Sequence, residues 1–418
     1  MTKLNSVEAQ TFLKILRAVV KDIPLLDDNS PSLETTAEQW KEIFKMAREH
    51  NLLPLILEKA TEDPIVTQLP EFNEYLRQTV ISVARQEERT KAFLKLYQAF
   101  IQEGVQPIVV KGLICRQIYG RLQYHRVSSD EDILVRKEDY RQLATILRQQ
   151  GFMTKNEEPT EEQLEKLREI SFYDVASGLS VDVHINLFGY ASEWHSRANE
   201  RFTHVFEQYR EVEIEGVKVR TLSHTDHLLF LILHALKHIS YSGVGIRQVM
   251  DILLYIREYG EKCDWEYLHK ILQEQKADAF LSDFIYIGNR YLGFELHTFG
   301  EPNCPEELLE DILDSGTFGN GTQMQQMAGQ VTGVAILQEN GSKKSRLRIL
   351  IDAIFPDKRW MVERNPELAK KQWLLPVYWV RRWWTFIKEW KKSGINLPVE
   401  GMKRGRRRME LLKKYGRI

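Results

Sequence analysis

Along the first hundred residues the apolar positions recur at helical spacing. Trp40, Ile43, Phe44, Ala47 and Leu52 fall on one stripe, as in an amphipathic helix. They follow Thr36-Ala37-Glu38-Gln39, where a threonine and a glutamine three places on form a capping box. A second stripe, Phe93, Tyr97, Phe100 and Ile101, predicts a helix that stops at Gly104, a position where glycine accepts the left-handed backbone of a helix end. The period then changes. Val105-Gln106-Pro107-Ile108-Val109-Val110 is short, apolar and β-branched, the pattern of a buried strand.

Lys111-Gly112 and a short helix over Leu113 to Tyr119 come next, and then an acidic strand near Glu131 to Arg136. Residues 137–150 are helical again and close at Gly151, and a polar helical piece spans Glu161 to Glu169. Two alternating runs, 171–176 and 179–185, flank Ser177-Gly178 and predict a hairpin, as does the pair over Glu211 to Arg220 turning at Glu215-Gly216. Ser223 with Asp226 caps a long apolar helix, Leu228 to Ile239, and the pattern stays helical to the end. Breaks fall at Gly243-Val244-Gly245, Glu301-Pro302-Asn303 and Gly316 to Gly321. This order predicts an α+β fold: a helical region over 1–85, a mixed core over 86–222, a helical domain over 223–400 and a basic tail over 401–418.

Composition narrows the classes. A chain of 418 residues is long for one core, so two or three packed units are expected. A net charge of −1 argues against capture of nucleic acid by the molecule as a whole and leaves only local basic patches. The three cysteines are far apart, with no CxxC pair, which provides neither a disulfide framework nor a zinc knuckle. The first residues lack a signal-peptide core, and no run approaches the length of a spanning helix. A cytoplasmic protein is expected.

The acidic strand carries the candidate chemistry. Alternate side chains of a strand share a face, so Asp130 and Asp132 point together while Glu131 points away. Two carboxylates on one face can hold two divalent ions for an in-line phosphoryl displacement. Their hard oxygen ligands favour Mg2+ or Mn2+. Asp182, which alternates with Val181 and Val183 and shares its face with His184, supplies a third acid. Upstream, Gly112 allows close approach of a phosphate to a helix start, and Lys111 can neutralise it as a point charge. Arg126, four residues before Asp130, is placed to clamp a triphosphate as a fork.

The runs Val109-Val110-Lys111-Gly112, Arg126-Val127-Ser128-Ser129-Asp130-Glu131-Asp132-Ile133-Leu134-Val135 and Asp182-Val183-His184 resemble the bacterial "uncharacterised nucleotidyltransferase" family of the polymerase-β-like superfamily. The resemblance extends through His234-Ala235-Leu236-Lys237-His238, Gly245-Ile246-Arg247-Gln248-Val249-Met250-Asp251-Ile252 and Trp373-Leu374-Leu375-Pro376. It implies a polymerase-β-like core in which Asp130 and Asp132 bind metal. Asp182 is then the third ligand and a base for the acceptor. It also implies transfer of a nucleoside monophosphate from a triphosphate, ATP foremost, to an acceptor the sequence does not name. The broader superfamily usually has Gly-Ser or Gly-Gly where this chain has Lys111-Gly112. Lys237 and Arg247 are further candidates for contact with the nucleotide.

Other features admit two readings each. His234 and His238 are one helical turn apart, the spacing of a metal pair and equally of packed core histidines; both, with His184, are candidates for lining the acceptor site. The segment Trp373 to Lys392 interleaves five tryptophans with arginine and lysine. Such a helix either packs its aromatic stripe on the protein or rests on an anionic membrane or nucleic acid. The run Lys403-Arg404-Gly405-Arg406-Arg407-Arg408 is expected to be a solvated end. If it binds RNA, the chain becomes a toxin-like transferase acting on tRNA or protein. A degenerate core kept for nucleotide binding or scaffolding is the non-enzymatic alternative.

Overall fold

Among the described residues, six strands form one mixed sheet in the order β3-β4-β2-β1-β6-β5. They are β1 (Ile108–Val110), β2 (Asp130–Leu134), β3 (Glu169–Tyr173), β4 (Ser180–His184), β5 (Tyr209–Ile214) and β6 (Val217–Leu222). β2 runs parallel to β4 and antiparallel to β1, and β1 runs parallel to β6. The computed structural model describes residues 3–26, 32–190, 193–241, 243–316, 372–393 and 397–416, with Phe355, Met361 and Leu368 as isolated positions.

Helices enclose the sheet. Before it come α1 (Val7–Lys21), α2 (Ala37–Glu49), α3 (Leu53–Ala60), α4 (Pro64–Thr67) and α5 (Phe72–Gln102). Within it lie α6 (Gly112–Gln117), α7 (Tyr140–Gln149), α8 (Glu161–Lys166) and α9 (Glu193–Glu200). After it follow α10 (His224–Tyr241), α11 (Ile246–Tyr259), α12 (Trp265–Glu274), α13 (Asp278–Ile287) and α14 (Pro305–Ser315). Two more, α15 (Leu375–Ser393) and α16 (Leu397–Lys414), lie near the end of the chain.

The local signals explain several of these ends. Thr36 and Gln39 form the capping box of α2 in both directions, and Thr160 with Gln163 does the same for α8. Both hairpins form, and Glu215-Gly216 turns with positive φ at both positions (49° and 79°), matching the right-handed twist of the strands. α8 ends at Lys166 and β3 begins at Glu169, so the expected helix to Glu169 is shorter. Helix α5 is one continuous 31-residue rod, and the expected boundary at 85/86 falls inside it.

Alternation in the strands sorts the two sheet faces. Val109, Ile133, Val181, Val183 and Ile170 pack with Phe93, Tyr97 and Phe100 of α5 and Leu143 and Leu147 of α7. The opposite face contributes Ile108, Val110, Leu134 and Leu222 to a larger core with α1, α3, α10, α11 and α13. The helices before and after the sheet therefore share one apolar core, and the acidic residues of β2 and β4 lie on the face turned toward it.

The basic end corrects its expectation. It is not a solvated tail: α16 docks on α14, which offers matching acids. Arg408, only 3 % exposed, donates to Asp311 and Ser315. Arg407 pairs with Glu310, Lys414 with Glu307, and Arg404 donates to the Asp314 carbonyl. The apparent support for an RNA-directed tail is thereby spent inside the fold. In α15, Trp379 and Trp383 pack edge-on against Phe355, while Trp384 and, just before the helix, Trp373 are exposed. The side chains of Phe386 and Trp390 lie outside the described residues. No helix among the described residues is long and apolar enough to cross a membrane.

Candidate active site

Parallel pairing of β2 with β4 sets Asp132 directly beside Asp182, with Asp130 beside Ser180. Because the strands are in register and side chains alternate, the three acids converge: carboxylate oxygens of Asp130, Asp132 and Asp182 all lie within 4.8 Å of one another. They are the one such group of metal-ligating side chains among the described residues. Three hard oxygen donors on one rigid sheet suit a magnesium-type ion.

Three carboxylates this close repel, and the chain answers with two cations or donors on Asp132. Lys111 Nζ lies 3.0 Å from one oxygen and His184 Nε2 3.0 Å from the other. Burial works against the Asp132 charge, but Lys111 and His184 outweigh it and hold the carboxyl well below the usual range. Asp182 has no such ally. Burial, then the negative charge of Asp132, pushes its carboxyl up, against a hydrogen bond from Ser171. The pair thus splits into one firmly ionised acid and one that more readily takes a proton.

Lys111 is held by its backbone. It sits between β1 and α6 with φ 56° and ψ −106°, a conformation that costs a non-glycine residue of order 1–3 kcal/mol. Its N–H donates to His227 Nε2 at 3.2 Å. The other ring nitrogen of His227 faces Thr221 Oγ1, whose hydroxyl is already donated to the Val109 carbonyl. Nδ1 therefore carries the proton, and burial, reinforced by Arg210, keeps the ring neutral.

Gly112 has a different task from the one expected. Its missing side chain makes room for Glu131, not for a phosphate: a Cβ there would lie 2.3 Å from Glu131 Oε2. That oxygen accepts the Leu113 N–H at 2.8 Å, and the other accepts from Arg116. The start of α6 already holds a protein carboxylate. Arg126 is likewise engaged elsewhere. Its guanidinium, 1 % exposed, grips both oxygens of Asp251 at 3.0 and 2.6 Å, with Tyr119 donating to the same acid at 2.8 Å. Arg247 donates to the Val127 carbonyl. Both arginines fasten the strap 126–129 that leads into β2, rather than presenting free guanidinium groups.

His234 and His238 hydrogen-bond to each other, Nε2 to Nε2 at 2.8 Å. Burial first, and then the charges of Lys111 and Lys237, drive both rings well below the ordinary histidine range. Lys111 therefore lies near enough to this stretch of α10 to act on both rings. The sequence pattern gave no sign of His227, Glu131, Asp251 or Gln86 as site-builders. Gln86 of α5 accepts the Ser128 N–H at 2.7 Å, and Arg89 donates to the Ser128 carbonyl at 3.2 Å. Asp251 stands alone in the apolar run Val249 to Leu254, the pattern of a buried partner, whereas Gln86 sits among the charged Arg85, Glu87, Glu88 and Arg89.

A mixed sheet flanked by helices, with an acidic trio on adjacent strands and a strap-and-helix turn beside it, defines the class: a nucleotidyltransferase-like core. The family model of uncharacterised nucleotidyltransferases matches residues 36–293. That is more than half of the 418-residue chain, and the chain belongs to this family. No curated protein and no solved structure matches it.

Proposed function

We propose that this protein transfers a nucleoside monophosphate, from ATP in the first instance, to an acceptor and releases pyrophosphate. The observation that carries this is the convergence of Asp130, Asp132 and Asp182 within 4.8 Å across two registered strands. A scaffold gains nothing from three facing carboxylates, whose partial burial is costly. Two Mg2+ or Mn2+ ions held here would neutralise the triphosphate and stabilise the attacking and leaving oxygens.

The remaining work falls to the chain. Asp130 and Asp132 fix the ligand geometry on a rigid strand. Asp182, the acid that more readily accepts a proton, takes the acceptor's hydroxyl proton as its oxygen forms a bond to the α-phosphorus. The bond from that phosphorus to the bridging oxygen breaks, and pyrophosphate leaves with the electron pair. Lys111, which pairs with Asp132 at 3.0 Å, would be released to neutralise the phosphates once a metal takes that carboxylate. His184 keeps Asp132 oriented. On α10, Lys237 is a further candidate for the nucleotide, and His234 and His238 for the acceptor.

Pyrophosphate release from labelled ATP tests this, using the small-molecule and macromolecular fractions of a cell extract as acceptor source. Magnesium-dependent release should fall by at least ~100-fold in the Asp130→Asn, Asp132→Asn chain. Equal release from both chains sinks the proposal.

A further inference from the structure

A groove of about 440 Å³ runs between α2, the start of α3 and the first half of α5, and Val127 of the strap closes one end. Its charged lining is Arg48, Arg77 and Arg85. Arg77 is tied to Glu74. Arg48 lies over the Tyr75 ring, 5.4 Å from its centroid, which fixes its plane and leaves its N–H edges unused. Arg85 has no ion-pair or hydrogen-bond partner among the described residues.

Positions 77, 81, 85 and 89 share one face of α5, so the guanidinium groups of Arg77, Arg85 and Arg89 form a rail about 18 Å long. Like charges at this spacing destabilise a helix, and Arg89 is weakened as a cation by burial and by Arg85. Its Nε is buried without a partner. The rail ends at the strap, where Arg89 meets the Ser128 carbonyl. Val127 is three residues from Asp130, so the groove's end and the acidic strand are at most about 11 Å apart.

Resting on the transfer reading above, we infer that this groove is the acceptor site and takes a small phosphorylated acceptor. Arg48 and Arg85 grip its phosphate, and its hydroxyl faces the acidic trio. The volume suits a molecule of sugar-phosphate size. No aromatic side chain lines the groove, so it lacks the stacking platforms by which proteins hold single-stranded RNA. Bonds are exchanged as described above, with the acceptor hydroxyl as the attacking oxygen.

The test is calorimetric titration of the full chain in EDTA, with no nucleotide present, using a pentose 5-phosphate, the free pentose and a ten-nucleotide single-stranded RNA. Binding of the phosphorylated sugar but not the free sugar is expected. Arg85→Ala and Arg48→Ala, both at exposed positions, should each weaken it by about tenfold or more, and Arg85→Lys by less. Unchanged affinity in both alanine variants overturns the inference, as does RNA binding that these variants abolish without any binding of the sugar phosphate. With no metal or nucleotide in the cell, this result does not depend on whether the aspartate variants lose turnover.

Discussion

Asp132 is where the separate demands on the site meet. It converges with Asp130 and Asp182 on one side and is held by Lys111 and His184 on the other. Beside it, Glu131 faces the opposite way and anchors α6 through Leu113 and Arg116. A five-residue strand thus presents converging carboxylates on one face and a structural clamp on the other. Gly112 is the residue that makes the clamp fit. Gly112→Ala should displace the Glu131 carboxylate from a buried ion pair and cost roughly 2–4 kcal/mol. Urea denaturation measures it, and a loss below about 0.5 kcal/mol would show that Glu131 has room to move. The alternation of acids was legible in the sequence, because it is a property of one strand. The purpose of Gly112 was not, because it depends on a carboxylate reaching across from another element.

Among the elements, the strap 126–129 has few apolar contacts of its own and is held by polar side chains from three helices. Gln86 and Arg89 reach it from α5, Arg116 from α6 and Arg247 from α11. Its own Arg126 is anchored on Asp251, also of α11. Replacing Asp251 by Ala leaves Arg126 buried without its carboxylate, at about 3–5 kcal/mol. The strap would loosen and β2 with it, so stability and turnover should fall together. Loss of turnover with an unchanged denaturation midpoint would contradict a positioning role. Periodicity disclosed the helices, capping boxes and hairpins, since each is written in its own few residues. Arg126 and Asp251 are 125 positions apart, and no local pattern joins them. The same blindness affected α16, whose basic run looked solvated until the acids of α14 were seen opposite it.

For the whole molecule, three of the four histidines on α10, those driven furthest below the ordinary value, link folding to pH. His227, His234 and His238 are all driven well below the ordinary value of 6.5, chiefly by burial. The unfolded chain takes up protons near pH 6.5 that the folded chain refuses, so the contribution is intact above that pH and is lost as the solution becomes more acid. With all three titrating, stability should fall by up to about 4 kcal/mol per pH unit below 6.5. Urea midpoints at pH 7.5 and 5.5 check this; equal midpoints would mean that the folded chain accommodates the charged rings. Since α10 packs between the sheet and the later helices, acid should unfold both together rather than release one unit.

The proposed triphosphate chemistry requires a divalent-metal site at the acidic trio. Its most direct measurement is anomalous X-ray scattering from crystals soaked in Mn2+ with a non-hydrolysable ATP analogue. Manganese peaks should lie bounded by Asp130, Asp132 and Asp182, with triphosphate oxygens completing their ligand shells and Lys111 Nζ moved from Asp132 toward the phosphates. Analogue bound elsewhere, with no manganese among the three carboxylates and Lys111 still paired to Asp132, would contradict it.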